Sequence, residues 1–287
     1  FPTIYRFHYK LTGHPKISIV IPNKDQVAYL IRAIDSIIQK STYDNYEIII
    51  VENNSTTEEI FEFYRLLEAI PQIKVVRWEH PFNYSAINNY GVSFATGEYV
   101  LLLNNDVEVI SPSWMEEMLM YAQRPDVGAV GAKLYFENRN IQHAGVIIGI
   151  GEDGVAVHSH AGEPFSSVGY MGRLYAQDVS AVTAACLMVK KSLYEAVGGF
   201  EEELAVAYND VDFCLKLREK GLLNICTPYA ELFHYESVSR GYEVKPEKQQ
   251  RFQREVAYMK NKWKTVLEQG DPYYNPNMSK QRPWKLV

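Results

Sequence analysis

The stretch YVLLLNNDVEVI, residues 99–110, decides the fold class that the sequence predicts. It opens with the apolar run 99–103 and then changes at once to Asn104, Asn105 and Asp106. Short apolar runs bounded by polar residues are typical of strands that are buried on both faces of a parallel sheet. The carboxylate would then lie at the carboxyl end of a strand, which is the edge where open α/β sheets bind ligands. An Asn/Asp turn that simply follows a strand is the alternative interpretation.

Strands and helices alternate along the chain around this stretch. Apolar runs at 16–22, 46–51 and 73–76 read as strands, and apolar residues at helical spacing separate them. This alternation predicts an α/β fold with a Rossmann-like, mostly parallel central sheet that helices flank. Polar residues follow the first two strands as well, at 22–23 and 52–54, so a single crevice would collect all three polar clusters.

The pattern also predicts how the chain is divided. The C-terminal helix is amphipathic and could pack on its own domain or on another subunit, and we expect the former. A segment rich in Gly, His and Ser reads as a lid or an acceptor loop. The predicted parts are a lead-in strand or linker at 1–15, one domain at 16–244 with halves 16–110 (nucleotide) and 111–244 (acceptor, loop 149–178), and the helix and tail at 245–287.

Composition bears on partners and location. A formal net charge of -6, with scattered Lys and Arg, argues against nucleic acid as a partner. No apolar run reaches the ~18 residues that a membrane helix needs, so we expect no transmembrane segment. Three cysteines without metal-binding spacing indicate buried thiols in a reducing compartment, hence a cytoplasmic protein, with the inner face of the membrane as a second option. The chain begins without Met, so attachment to a larger polypeptide stays open, as does a homo-oligomer.

Seven short motifs, in the same order, resemble the inverting glycosyltransferases of family 2, which have the GT-A fold. The resemblance implies transfer of a sugar from a nucleotide diphosphate sugar, UDP-hexose first and dTDP-rhamnose second, to a hydroxyl of a glycan or glycoprotein. It also implies Mn²⁺ or Mg²⁺ as cofactor. The motifs are PN at 22–23, ENNST at 52–56, NYG at 89–91, GEYVLLLNND at 97–106, GGFEEE at 198–203, NDVD at 209–212 and His234.

Three residues carry the chemistry that the resemblance implies. Asp106 matches the last acid of the family's D-x-D motif, which binds the metal that bridges the donor diphosphate, and His234 matches the histidine that completes the metal shell. Asp210 matches the general base, although an acid at a helix start is by itself more often a helix-dipole contact. The chain departs from the family pattern at Asn104 and Asn209, where acids are usual.

The remaining site residues are predicted partly from the resemblance and partly from their own chemistry and position in the chain. Glu52 stands where an Asp commonly contacts the base, and Arg240 is placed to reach the diphosphate. The full nucleotide-binding set is Pro22, Asn23, Glu52, Asn54, Asn89, Asn105, Asp106 and Arg240, and the acceptor set is Asp212 and Tyr170. Two other functions stay open at this point: a sugar-phosphate nucleotidyltransferase, and a non-catalytic or assembly domain of a larger glycosyltransferase.

Overall fold

A computed structural model describes residues 5–164, 175–235 and 246–280 of the chain. In the first part the elements are β1 Ile17–Asn23, α1 Val27–Lys40, β2 Tyr46–Glu52, α2 Glu58–Leu67, β3 Ile73–Arg77, α3 Tyr84–Ser93, β4 Tyr99–Leu103 and β5 Val107–Val109. The second part contains α4 Trp114–Ala122, β6 Val127–Tyr135, β7 Ile141–His143, β8 Val146–Ile148, β9 Ala156–His158, β10 Gln177–Val179, β11 Cys186–Lys190, α5 Lys191–Ala196, α6 Asn209–Glu219, β12 Leu223–His234, α7 Pro246–Lys262 and α8 Lys264–Gln269.

One large sheet organises these elements, and the α/β class is confirmed. Its strand order is β10-β12-β6-β11-β4-β1-β2-β3, with β5 paired to β12 and β7 to β6, while β8 and β9 form a separate hairpin. The four strands β3, β2, β1 and β4 are parallel, but β11 lies antiparallel between β4 and β6. The sheet is therefore mixed rather than mostly parallel. An apolar run indicates that a strand is buried and carries no information about its direction.

Both faces of the sheet are covered by helices. In β1, Ile19 and Ile21 belong to one apolar layer and Val20 to the other. This arrangement explains why the strand reads as a continuous apolar run. Helix α3 lies very close to the sheet at Gly91, where an added Cβ would stand 2.5 Å from the Val20 side chain and 2.7 Å from that of Val51.

The C-terminal helices pack on the domain that precedes them, as the amphipathic pattern indicated. Met259 is fully buried and Trp263 is nearly so, in the same apolar layer as side chains of α3 and α6. The predicted single helix is divided at Trp263, which separates α7 from α8. Trp263 also donates its indole N–H to Asp212 at 2.8 Å. The junction of α7 and α8 therefore contacts α6, the helix that contains Asp210.

Two sequence expectations concern compartment and membrane. All three cysteines are buried free thiols. Among the helices in the described part of the chain, none combines the length and the apolar character that crossing a membrane requires.

Candidate functional site

A cleft of about 270 Å³ lies at the carboxyl ends of β1, β2 and β4. Residues from each of the three polar clusters that follow these strands meet there, as the sequence predicted, although cluster 52–54 contributes only Asn53. The described residues that line it are Pro22, Asn23, Lys24, Asn53, Phe82, Tyr84, Ile87, Asn104, Asn105, Asp106, His234, Lys248 and Arg251. Asp106 is the only acid in that set.

Two amides join the central strands at the floor of the cleft. Asn105 donates to Asn23 Oδ1 at 2.6 Å, and both side chains are buried. The Asn23 amide donates in turn to the Asp25 carbonyl and to the Tyr64 hydroxyl, at 3.0 and 2.7 Å. Because the amides are held by these bonds, the floor is rigid and its remaining polar atoms have fixed directions.

Pairing between β5 and β12 brings Asp106 and His234 together. His234 lies opposite Val107 in the antiparallel register, and the Tyr235 N–H donates to the Asp106 carbonyl at 2.9 Å. The His234 Nε2 atom is 3.2 Å from Asp106 Oδ1. Two residues that are 128 positions apart thus meet at one edge of the sheet.

The tautomer of His234 follows from its neighbours. Gln142 donates its amide N–H to the His234 carbonyl, so its Oε1 atom, 2.5 Å from His234 Nδ1, is the acceptor of the Nδ1–H. The Asn104 amide nitrogen, which can only donate, lies 3.0 Å from Nε2. The Nε2 lone pair, which accepts the Asn104 N–H, and the Asp106 carboxylate are therefore two acceptors 3.2 Å apart.

Such a pair of acceptors fits a divalent cation. An imidazole whose other nitrogen is held by a fixed acceptor, together with a carboxylate, is a donor set that Mn²⁺ or Mg²⁺ accepts. No group of three or more His, Cys, Asp and Glu side chains in the described residues is arranged to hold a metal. Asp106 and His234 would therefore supply two ligands, and oxygens of a bound molecule would supply others.

Asp210 is linked to this cleft through Ala184 and Tyr84. Its Oδ2 atom accepts the Ala184 N–H at 3.1 Å, and the Ala184 carbonyl is 3.2 Å from the Tyr84 hydroxyl. The same hydroxyl is 2.9 Å from Asn104 Oδ1. Asp210 lines a second pocket, of about 410 Å³, and Arg251 lines both pockets. Asp106 and His234 therefore share one pocket, and Asp210 lies in a second pocket next to it.

The loop that leads to Asp210 is held by the C-terminal helix α7. Glu255 accepts the backbone N–H groups of Val206 and Ala207 at 2.9 and 3.2 Å, and burial raises the pKa of its carboxyl group. Tyr208 has a φ of 62°, an unusual value for a residue other than glycine. The loop thus enters α6 through a turn that Glu255 stabilises.

Asp212 does not lie at the cleft. Its side chain is fully buried, accepts from Trp263, and pairs with Lys262 at 2.8 Å and Lys216 at 3.4 Å. The predicted acceptor contact is therefore not supported, because α7 and α8 cover this carboxylate. In the same helix Asp210 is half-buried and faces a pocket.

Glu52 and Asn54 lie beside the cleft rather than in it. Both Glu52 carboxylate oxygens already accept hydrogen bonds. The donors are the Ser55 N–H at 2.6 Å, the Ser55 hydroxyl at 2.5 Å and the Tyr64 hydroxyl at 2.7 Å. The Asn54 amide donates to the His80 carbonyl. Glu52 and Asn54 both line a separate pocket of about 170 Å³. Asn53, one residue earlier, lines the main cleft instead.

Asn89 is placed away from the cleft, in a structural role. Its amide donates to the Phe200 carbonyl, and its Oδ1 accepts the Phe200 N–H and the Tyr194 hydroxyl at 2.9 and 2.7 Å. Next to it, Gly199 has a φ of 65°, and a Cβ there would stand 2.6 Å from Asn89 Oδ1. Asn89 therefore holds the turn before Phe200 and does not line the cleft.

We expect Asn89→Ala to lower the free energy of unfolding by about 2–3 kcal/mol, because buried groups around Phe200 would lose their partners. Urea unfolding measures this loss, and the exposed Asn261→Ala on α7 should stay within about 0.5 kcal/mol of the parent protein. Weaker donor binding without any loss of stability would instead support the nucleotide contact predicted for Asn89.

Sequence reasoning missed several residues of the site. Gln142 lies in a short buried strand, and no motif marks it as the partner of His234. Lys248 and Arg251 reach the cleft from α7, which the sequence marked only as an amphipathic helix. Two predicted residues, Tyr170 and Arg240, fall outside the described residues.

Comparisons with known proteins were made for the whole chain. The family described as glycosyl transferase family 2 matches residues 18–198. The uncharacterized protein y4gI of Sinorhizobium fredii is 49% identical over 284 residues, which is 98% of this chain and 31% of that protein. The O-antigen biosynthesis protein RfbC of Myxococcus xanthus is 39% identical over 287 residues, 97% of this chain and 21% of that protein. The chain thus spans less than a third of the length of these two relatives.

Solved structures resemble the fold. GalNAc-T7, in a structure with UDP, GalNAc and Mn²⁺, aligns with a TM-score of 0.68 at 15% identity, over 88% of this chain and 50% of that chain. The mannosyltransferase PcManGT from Pyrobaculum calidifontis, in complex with GDP-Man and Mn²⁺, aligns with a TM-score of 0.63 at 17% identity, over 90% of this chain and 69% of that chain. At this level of identity the likeness concerns the fold.

Proposed function

Because the chain belongs to glycosyl transferase family 2, we propose that it moves a sugar from a nucleotide diphosphate sugar to a hydroxyl of a glycan or glycoprotein, with inversion at the anomeric carbon. The observation that carries this proposal is that Asp106 and His234 line one pocket and Asp210 lines a second, and that Arg251 lines both. A donor in the first pocket and an acceptor in the second would meet beside Asp210.

Asp210 is the proposed general base. The acceptor oxygen forms its bond to the anomeric carbon while the bond from that carbon to the diphosphate oxygen breaks, and the hydroxyl proton passes to the Asp210 carboxylate. A base placed in this way contributes roughly 10²–10⁴-fold. The Ala184 N–H, at 3.1 Å from Oδ2, and the Val211 N–H, at 2.8 Å from Oδ1, fix the orientation of the carboxylate.

The first pocket is the proposed donor site. Its floor of held amides offers hydrogen bonds to a base or ribose, and the exposed ring of Phe82 offers a face for stacking. Lys248 brings positive charge to the same cleft, which suits a diphosphate. UDP-hexose is our first choice of donor and dTDP-rhamnose the second. The UDP bound to GalNAc-T7 supports the first choice, while the GDP-mannose bound to PcManGT keeps other bases open.

Mn²⁺ or Mg²⁺ is the proposed cofactor, held by Asp106 and His234. When bound, the cation supplies positive charge that stabilises the nucleoside diphosphate leaving group. The residues of the chain orient that site, since Gln142 fixes the His234 ring and Asn104 borders it. Both structural neighbours were solved with Mn²⁺, which supports this proposal.

Gln142→Met should weaken Mn²⁺ binding by roughly 10–100-fold, because the His234 ring loses the acceptor that fixes its tautomer. Electron paramagnetic resonance of free Mn²⁺ during titration measures the affinity, and His234→Ala sets the limit for loss of the ligand itself. Equal Mn²⁺ affinity for Gln142→Met and the parent protein would contradict the proposed orientation of His234.

A screen of nucleotide sugars tests the proposed function directly. Each donor is incubated with Mn²⁺ or with EDTA, with and without hydroxyl acceptors, and release of nucleoside diphosphate is measured. We expect metal-dependent release that acceptors accelerate. Pyrophosphate formed from a nucleoside triphosphate and a sugar phosphate would instead identify a nucleotidyltransferase. Absence of turnover with every donor would favour an assembly domain. The relationship to the O-antigen protein RfbC makes polysaccharide fragments the first acceptors to test.

A further inference from the structure

We propose that the pocket beside Asp210 is an acceptor subsite for a neutral saccharide, and that Tyr208 and Phe252 form the surface on which the sugar ring lies. The inference rests on the proposed sugar transfer and adds the chemical class of the acceptor and the residues that select it. Phe252 belongs to α7, beyond residues 18–198 that the family matches.

Three separate parts of the chain form this pocket. The β8–β9 hairpin contributes Val146, Ala156 and His158, the loop 206–208 and the start of α6 contribute the second wall, and α7 contributes Arg251 and Phe252. Its volume of about 410 Å³ is within the range of small-ligand sites. The walls combine apolar and polar groups, and Asp210 is the only acid among the described residues that form them.

The two aromatic rings are held beside each other. The Tyr208 and Phe252 ring centroids are 5.9 Å apart, with 36° between the ring planes. The Tyr208 hydroxyl donates a hydrogen bond to Asp153, which holds the far end of the side chain. The left-handed backbone conformation at Tyr208 sets the direction in which the side chain leaves the main chain. A pyranose presents C–H groups on one face and hydroxyls on its edge, so it suits an aromatic surface that lies beside a carboxylate.

Charge in the pocket favours a neutral sugar. Arg251 Nε is 3.4 Å from the Glu255 carboxylate, one helical turn along α7, so the positive charge of Arg251 is largely balanced by its own helix. The negative charge of Asp210 then dominates, and a carboxylated sugar placed against it would be repelled. A neutral sugar would place one hydroxyl at Asp210 without this cost.

The position of Arg251 connects this pocket to the donor cleft, as an acceptor site requires. Arg251 lines both the donor cleft and this pocket, so the two spaces adjoin at its side chain. Asp210 is joined to the donor cleft through Ala184, Tyr84 and Asn104. A sugar on the aromatic surface would therefore have its reacting hydroxyl between the general base and the donor.

Variants at Phe252 test the inference. With nitrophenyl glycosides of neutral hexoses and deoxyhexoses as acceptors, Phe252→Leu should raise the acceptor KM by roughly 3–10-fold, and Phe252→Tyr should restore it, because leucine keeps the apolar packing without an aromatic face. The donor KM and the acceptor-free hydrolysis of the donor should stay within twofold of the parent protein. Tyr258→Leu is the matched control, since Tyr258 is an aromatic residue of α7 outside the pocket.

The outcomes separate this inference from the proposed function. If the parent protein transfers sugar and Phe252→Leu leaves the acceptor KM unchanged, or changes it no more than Tyr258→Leu does, the aromatic surface is excluded. Acceleration by glucuronides and by no neutral glycoside would overturn the acceptor class. If the parent protein turns over no donor under any condition, the proposed function fails, and this inference fails with it.

Discussion

Replacing Asp210 with asparagine is expected to lower kcat for sugar transfer by roughly 10²–10⁴-fold, the contribution of a positioned general base. The amide has nearly the shape of the carboxylate, and its one oxygen can still accept the Ala184 N–H, now bonded to Oδ2 at 3.1 Å, although the Val211 N–H then loses its acceptor. Folding and donor binding should therefore remain close to those of the parent protein, because Asp210 does not line the donor cleft. Steady-state transfer rates, with the donor Kd from calorimetry, measure the separation of the two effects.

Asp212→Asn is the matched control for this variant, since both acids lie in the first turn of α6. Asp212 is buried against Lys216 and Lys262, so the control should lose stability because those cations lose their anionic partner. At a temperature where it is folded, its kcat should be near that of the parent protein. A loss of transfer in Asp212→Asn that matches the loss in Asp210→Asn, or full activity in Asp210→Asn, would exclude the assigned base.

The sequence predicted the cleft because the rules that place it are local. An apolar run such as 99–103 indicates a buried strand, and the polar residues that follow it must lie at the strand's carboxyl end. The resemblance to family 2 is confirmed by the match to residues 18–198. It also supplied Asp210 and His234 as predictions, which no strand pattern could place and which lie beyond the matched residues. Pairing of β5 with β12 then brings His234 beside Asp106.

What the sequence could not predict depends on contacts between distant residues. Asn89 and Glu52 stand at motif positions, yet both side chains are already hydrogen-bonded within the protein. Asn89 bonds to Phe200, and Glu52 bonds to Ser55 and Tyr64, which only the folded geometry reveals. Conversely, Gln142 has no motif, although it fixes the His234 ring. A hydrogen bond that joins residues 92 positions apart leaves no periodic trace in a single sequence.

The sequence also failed to predict the direction of β11 and the contribution of α7 to the site, for a related reason. The run 186–190 is as apolar as a parallel strand would be, but it lies antiparallel between β4 and β6. The spacing of Met259 and Trp263 predicted burial of one face of α7. It gave no sign that Glu255 would accept N–H groups of the loop before Asp210, or that Arg251 would line both pockets.

Asp106→Asn should lower the rate of metal-supported transfer by roughly 10²–10³-fold, since it removes the single carboxylate among the described residues that line the donor cleft. Asn104 already carries an amide, and it borders His234 through its nitrogen, so no neighbouring oxygen replaces the lost charge. The variant should also bind Mn²⁺ more weakly, which a Mn²⁺ titration of the free protein measures independently of catalysis. Asp178→Asn, at an exposed acid of β10 outside the cleft, is the control.

The Asp106 prediction also tests how the two halves of the site depend on each other. Because Asp106 and His234 face each other at 3.2 Å as two acceptors, loss of either should weaken the same bound cation, and the double variant should cost little more than the worse single one. Strictly additive losses in Mn²⁺ affinity would mean that the two side chains act at different points. A parent protein whose transfer rate EDTA leaves unchanged would remove the metal from the mechanism and leave the pair with a purely structural role at the β5–β12 junction.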